Sequence, residues 1–325
     1  MEDEVKVLKS RIENLEKRLS WMENRYNNEL EFRQLGGRID FRLIRLEMLS
    51  YYHNKGRYWQ LDETQRRLLD DVEDNLLKNQ GRHFFKERYF EEPVSMSPQH
   101  NPIVIEEKDG LFYWSIRGGQ VFLSKERKHA EQIAGGLYRE FFQPSPHNYF
   151  DLETGFTVDS IPEGAVVADV GSAEGLFGML LVQKAKKVYL FENSSYWMPM
   201  LEKTYAPYKD KVEIVQGTVG DGAGDIRLDD FFRDREKPTL VKMDVEGYEA
   251  SVLRGMRGLI SSPDMMTMLI CTYHRQEDWP HFYDLLKDNF EITSSPGYYW
   301  HMPDPMPPFF RHGVMRAVKK AGVEE

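Results

Sequence analysis

The stretch that most constrains this chain is Ala165 to Asn193, AVVADVGSAEGLFGMLLVQKAKKVYLFEN. The valine-rich run Ala165 to Val170 suits a strand buried on both faces, as in a parallel sheet. Asp169 falls near its end, and Gly171, Gly175 and Gly178 let the backbone turn tightly and approach a ligand. Leu176 to Gln183 then reads as a helix, and Val188 to Phe191 as a second strand with Glu192 at its tip. In an open α/β sheet such strand tips form the ligand crevice, and an acid about 20 residues beyond the first glycine is placed to bind ribose hydroxyls. The unit suits a nucleoside.

The glycine spacing narrows the nucleoside. The pattern is Asp169-x-Gly171-x-x-x-Gly175, neither the G-x-G-x-x-G of a dinucleotide site nor a Walker loop. An acid just before the first glycine repels phosphate and suits the ammonium of an amino acid, which fits S-adenosylmethionine. An ordinary α/β turn without a ligand is the alternative from this stretch alone.

Whole-chain properties exclude several classes. At 325 residues the chain holds one large domain or two. The net charge of −10 argues against nucleic acid or an anionic membrane as main partner, since both reward clustered Lys and Arg. The single cysteine, Cys271, rules out a disulfide framework and makes a reducing compartment the default. No run approaches the ~20 apolar residues of a membrane span, and the start, MEDEVKVLKS, lacks a signal-peptide pattern. The expectation is a soluble, cytoplasmic protein.

Residues 1–34 carry a heptad seam of Val5, Leu8, Ile12, Leu15, Leu19, Met22 and Tyr26. With Val5 at position a, the flanking pairs Glu4/Lys9, Arg11/Glu16 and Arg18/Glu23 are all opposite in sign for a parallel assembly. A parallel homo-oligomeric coiled coil is expected, with a helix folded onto its own domain as the alternative. Gly36-Gly37 breaks this helix, and Arg38 to Lys55 resumes a helical pattern. Asp62-x-x-Gln65 resembles a capping box opening another helix. Residues 35–142 read as a helical linker and small accessory region. There Ile103 to Ile105, Leu111 to Ile116 and Gln120 to Leu123 form strands joined at Asp109-Gly110 and Gly118-Gly119, ahead of a helix from Glu126 to Phe142. Residues 143–325 alternate strand and helix as in a doubly wound α/β sheet. Its further strands are Val212 to Val215, Thr239 to Met243, Met266 to Cys271, Glu291 to Thr293 and Gly313 to Lys319. The helices fall near Glu249 to Ile260 and Pro280 to Asn289.

The second informative stretch is Leu240 to Gly255, LVKMDVEGYEASVLRG. Alternation puts Leu240, Lys242 and Asp244 on one side of the strand, with Asp244 at its carboxyl end. A lysine and acids at the tip of a buried strand must be paired or face a site. Asp244 is the strongest functional residue of the group. Lys242 is either a structural cation or part of the site, and Glu249 reads as complementing the helix dipole. The fifth strand ends in Cys271, Thr272, Tyr273 and His274, a tip expected beside that of Asp244.

The segments VADVGSAEG, LFEN, LDDFF and VKMDVEGYEASVLRGM resemble the FkbM family of S-adenosylmethionine-dependent methyltransferases. The resemblance covers about residues 147–320 and rests on two motifs in the expected order: the Asp-x-Gly turn, and KxDVEGxE followed by VLxG. It implies a seven-stranded methyltransferase sheet and O-methylation of a hydroxyl on a saccharide or glycan. Methylation of a lipid-linked or small-molecule metabolite is one alternative; a coiled-coil scaffold with a degenerate domain is another. It further implies that Asp169, Gly171, Ser172 and Gly175 hold the methionine end. Glu192 and Asn193 would meet the ribose, and Asp221 or its loop would lie near the adenine. Two positions depart from the family: Ser172-Ala173 replaces Ala-Asn, leaving that subsite's contacts open, and Asn193 stands where proline is frequent.

Methyl transfer needs an aligned acceptor oxygen and a group to take its proton. His274 is the expected base, with Asp244 fixing its tautomer or contacting both acceptor and cofactor, and Lys242 in support. A purely structural histidine is the alternative. A metal held by Asp244, Glu246 and His274 is a weaker reading, as no spacing motif supports it. Glu246, Tyr273, Tyr298, Trp300 and His301 offer polar and flat apolar faces suited to a sugar. The aromatic loop Ser294 to His312, like His147 and Tyr149, reads equally well as a packing surface.

Overall fold

The computed structural model describes residues 41–54, 56–77, 90–91, 103–142, 145–150, 155–299 and 307–320. The heptad seam of residues 1–34 and the pair Trp300 and His301 lie outside the described residues.

The strands, in chain order, are β1 (Phe90–Glu91), β2 (Ile105–Lys108), β3 (Leu111–Ile116), β4 (Gly119–Ser124), β5 (Val166–Val170), β6 (Lys187–Glu192), β7 (Val212–Gln216), β8 (Leu240–Met243), β9 (Thr267–Cys271), β10 (Phe290–Ser294), β11 (Tyr298–Tyr299) and β12 (Val314–Lys319). The helices are α1 (Phe41–Asn54), α2 (Glu63–Leu77), α3 (Arg127–Phe142), α4 (Leu176–Leu181), α5 (Met198–Thr204), α6 (Leu228–Phe231), α7 (Glu249–Gly255), α8 (Arg257–Ser261) and α9 (Asp278–Leu286).

Seven strands form the main sheet in the order β10-β12-β9-β8-β5-β6-β7. Only β12 runs against its neighbours; the others are parallel. This is the seven-stranded doubly wound α/β arrangement expected from the sequence. The chain order reverses beside β5, so β5, β6 and β8 open a crevice at their carboxyl ends. Alternation divides the side chains between two layers. Val167, Val188, Leu190, Leu240 and Leu269 face one core, and Val166, Ala168, Val170, Phe191, Val241 and Met243 the other. The helix expected over Glu249 to Ile260 is two helices, because Met256 leaves the helical region at φ −127° and ψ 27°.

The antiparallel sheet β2-β3-β4 and α3 share the first core: Ile105, Trp114, Val121, Leu123, Ala130 and Ala134 cluster with Val167 and Leu190. The first hairpin turns at Asp109-Gly110, as expected. The second turns at Arg117-Gly118, with φ of 46° and 80°, one residue earlier than the glycine pair suggests. Gly119 instead pairs with Ile116 inside β4, where a Cβ would stand 2.4 Å from Met179 Sδ. The Asp62/Gln65 capping box forms in both directions, at 3.0 and 2.8 Å, and opens α2. Helices α1 and α2 bury Met48, Leu49, Leu68 and Leu69 with Tyr298, Phe309 and Phe310. No helix among the described residues is long and apolar enough to cross a membrane.

One buried bond ties the small sheet to the main domain: the Phe122 amide of β4 donates to Thr204 Oγ1 of α5 at 2.9 Å. Thr204→Val keeps the side-chain shape but leaves that amide unsatisfied. It is expected to lower unfolding free energy by about 1–3 kcal/mol in urea titrations; an unchanged midpoint would show that the contact contributes nothing.

Candidate active site

A cleft of about 610 Å³ opens at the carboxyl ends of β5, β6 and β8. Its floor is the turn after β5. Gly171 has a φ of +76°, and a Cβ there would stand 1.8 Å from the Asp244 carbonyl oxygen. Only glycine lets the tips of β5 and β8 approach this closely. Gly175 has a φ of +85°, and its carbonyl accepts the Tyr205 hydroxyl. Two residues with side chains also adopt left-handed backbone at the cleft, Ala173 (φ 46°) and Glu246 (φ 53°). Such geometry costs about 1 kcal/mol at each and concentrates where function fixes the backbone.

Glu192, at the tip of β6, lines the cleft. Its two carboxylate oxygens accept the amides of Ala173 at 2.9 Å and Ser194 at 2.7 Å. These bonds fix its orientation and leave lone pairs on both oxygens for a ligand. Ser172 and Asn193 also line the cleft, and the Ser172 hydroxyl is buried without a hydrogen-bond partner.

Asp169 is placed differently from the expectation. It is fully buried beneath the turn and does not line the cleft. It stands in register with Lys242 across β5 and β8, and Lys242 Nζ lies 3.2 Å from its Oδ1. The same ammonium donates to the Gly171 carbonyl at 2.5 Å. Burial raises the Asp169 pKa, partly offset by Lys242. Burial also opposes the charge on Lys242, but Asp169 and Asp244 outweigh it and raise its pKa. Lys242 is therefore a paired cation that also reaches the cleft wall.

Asp244 is the hub of the opposite end. Its Oδ2 accepts the Tyr149 hydroxyl at 2.8 Å and lies 3.6 Å from His147 Nε2, and its Oδ1 lies 3.6 Å from His274 Nε2. Each imidazole turns its other nitrogen to a glutamate: His147 Nδ1 is 3.7 Å from Glu140, and His274 Nδ1 is 2.9 Å from Glu249. The result is an alternating chain, Glu140–His147–Asp244–His274–Glu249. Burial opposes the charged form of His147, Asp244 and His274. For both histidines the carboxylates outweigh it and raise the pKa. For Asp244, His147, Lys242 and His274 outweigh it and lower the pKa. Cys271 completes the enclosure, its thiol pushed up to about 12 by burial.

Several expected site residues fall elsewhere. Glu249, in the first turn of α7, does more than complement its dipole. It is fully buried, and its Oε1 accepts the amides of Val245 at 3.0 Å and Gly247 at 3.4 Å, holding the turn after β8. Asp221 does not line the cleft, because Arg254 at 2.7 Å and Ser251 at 2.6 Å pull it away and hold its pKa down to about 2. Its loop reaches the cleft through Gly217, Thr218 and Val219 instead. Tyr273 is buried behind the wall, its hydroxyl 2.8 Å from His147 Nε2. Tyr298 packs with Tyr52 and Phe310, and its hydroxyl donates to Asp62. Among metal-type groupings of described residues, Asp244 and His274 converge with Glu249, and Asp244 also converges with His147 and Cys271. Glu246, in the expected trio, is 90% exposed at its side chain.

Residues 170–291 match the family described as the Methyltransferase FkbM domain. That segment supplies Val170 through Tyr248 of the cleft, whereas Leu137, Glu140, Phe141 and Tyr149 come from upstream of it. Similar solved structures include the methyltransferase FkbM from Methylobacillus flagellatus KT, at 19% identity over 58% of this chain and 52% of that one, with a TM-score of 0.39. Wild-type Trm5b from Pyrococcus abyssi is 15% identical over 66% of this chain and 56% of that one, with a TM-score of 0.40. The precorrin-6y C5,15-methyltransferase from Geobacter metallireducens GS-15 is 11% identical over 49% of this chain and 80% of that one, with a TM-score of 0.33. The aligned region spans about half the length of the first two. No curated protein matches the sequence.

Sequence reasoning passed over Glu174, Glu140 and Trp197, all of which line the cleft. Glu174 carried a visible signal, being an acid inside the glycine turn. Glu140 and Trp197 carried none, since only the fold brings their helices to the strand tips.

Glu249→Gln retains an amide acceptor but removes the charge beside His274. It is expected to lower the His274 pKa in an NMR titration. Because that pKa is raised in the folded state, the stabilisation is complete below about pH 6.5 and fades as pH rises through the folded value. The stability gap between wild type and variant should therefore be widest near pH 6; a gap that widens with pH would contradict the assignment.

Proposed function

We propose that this chain is an S-adenosylmethionine-dependent O-methyltransferase acting on a hydroxyl of a saccharide or glycan. The observation that carries the reading is the pairing, in one cleft, of an amide-held Glu192 at the β6 tip with Asp244 at the β8 tip. The residues fit the cofactor: Glu192 for the ribose hydroxyls, Gly171 and Ser172 for the methionine end, and the 217–219 loop and Trp197, which line the same cleft, for the base. When bound, the cofactor supplies an electrophilic methyl group on a sulfonium.

In this reading the chain's own residues align the acceptor and receive its proton. The carboxylates around His274 raise its pKa and favour the imidazolium, a form that donates a proton rather than accepting one. Asp244 takes that part, reversing the roles first assigned to the pair. A carboxylate of low basicity suffices, because the acceptor oxygen becomes strongly acidic as its new C–O bond forms. His274 and His147 act as positioning residues that hold Asp244 from either side. Tyr149 donates to the same carboxylate and gives the acceptor end a flat apolar wall.

Calorimetry with S-adenosylhomocysteine tests the cofactor assignment; no binding at high micromolar ligand would leave a scaffold role. Glu192→Ala is expected to weaken that binding at least tenfold through lost charged hydrogen bonds. Asp244→Asn is expected to keep binding within a few-fold while turnover, read as a single added methyl by mass, falls by roughly 10²-fold or more. Full activity in Asp244→Asn would remove it from the proton-accepting role.

A further inference from the structure

Asp169 cannot serve as the direct counter-ion that its place in the motif suggests. It lies below the cleft floor, and the Lys242 ammonium already stands against it. Another acid sits on the same turn. Glu174, between the two left-handed glycines, lines the cleft although its exposure is only 6%. One oxygen takes the Leu176 amide at 3.3 Å. A carboxyl group so enclosed is expensive to ionise unless a cation meets it.

The other acids of the cleft are engaged. Glu192 holds two backbone amides, Asp244 holds Tyr149 between two imidazoles, Glu140 faces His147, and Glu246 faces His274. Glu174 alone combines burial, a place on the glycine turn and a position lining the cleft.

Resting on the cofactor reading above, we propose that Glu174, in place of Asp169, is the counter-ion of the cofactor's ammonium group, and that it releases its proton to solvent when that group binds. The charged and titratable groups that act on Glu174 from the surrounding elements are Glu140 of α3 and Lys242 of β8. Tyr205, after α5, in turn feels Glu174 and Asp169. Burial and Glu140 raise the Glu174 carboxyl to about 8 against the pull of Lys242. The free protein therefore holds it neutral near pH 7, and an arriving ammonium favours the carboxylate. Binding is then coupled to loss of about one proton, so affinity strengthens with pH by up to roughly tenfold per unit until the free group ionises unaided.

The test is calorimetry of the full chain with S-adenosylhomocysteine near pH 7, in buffers of different ionisation enthalpy. Release of about one proton by wild type, none by Glu174→Gln, and at least tenfold weaker binding by Glu174→Gln at pH 8 would support the proposal. 5′-Methylthioadenosine lacks the amino-acid tail, so wild type and Glu174→Gln should bind it equally, which also shows that the variant folds. Undiminished proton release or affinity in Glu174→Gln overturns the assignment to Glu174 while leaving the cofactor reading intact. If wild type binds neither nucleoside, the cofactor reading fails and this inference with it.

Discussion

Lys242 stands beside Asp169 across β5 and β8, and its ammonium reaches both that carboxylate and the carbonyl of Gly171. The contact is buried, so each charge depends on the other to avoid an uncompensated desolvation cost. It also fixes where the two motif-bearing strands end. With Gly171 pressed against the Asp244 backbone, the turn after β5 and the turn after β8 form one continuous floor. Everything at the cleft is measured from that junction: Glu192 through the Ala173 amide, and Asp244 through its own amide, which donates to Val170 at 3.0 Å.

From this floor the polar groups divide into two sets. Around the β5–α4 turn, backbone amides and glutamates suit a cationic nucleoside. Around Asp244, two imidazoles and two outer glutamates alternate in sign across the cleft wall. Such a chain holds its central carboxylate ionised and pointed without asking it to be a strong base. Glu249 serves both purposes, since the oxygen that faces His274 also takes the amides of Val245 and Gly247.

Much of this was legible beforehand because it follows from local rules. The valine-rich strand, the glycines that must turn and the acids at strand tips are visible in Ala165–Asn193. Period-two alternation placed Lys242 with Asp244, and the Asp62/Gln65 box announced α2. The misplacements share one cause: a residue's type says that it must be paired, but not with what. Asp221 looked available until Arg254 and Ser251 claimed it. Tyr298 looked like a sugar platform until α1, α2 and Phe310 covered it. Glu249 read as a partner of the helix dipole alone, yet it is buried and also holds the preceding turn. Glu140 and Trp197 reach the cleft through contacts distant in sequence, which no local pattern encodes.

The wall formed by α3 has a consequence for how the catalytic unit should be delimited. Leu137, Glu140 and Phe141 precede the matched segment by about thirty residues, yet they close one side of the cleft, and Glu140 faces His147. A fragment trimmed to the matched segment would lose most of β5, with Asp169, and the enclosure above the floor as well. The cleft is thus built jointly, its strand tips by the matched segment and one wall by a helix that lies outside it.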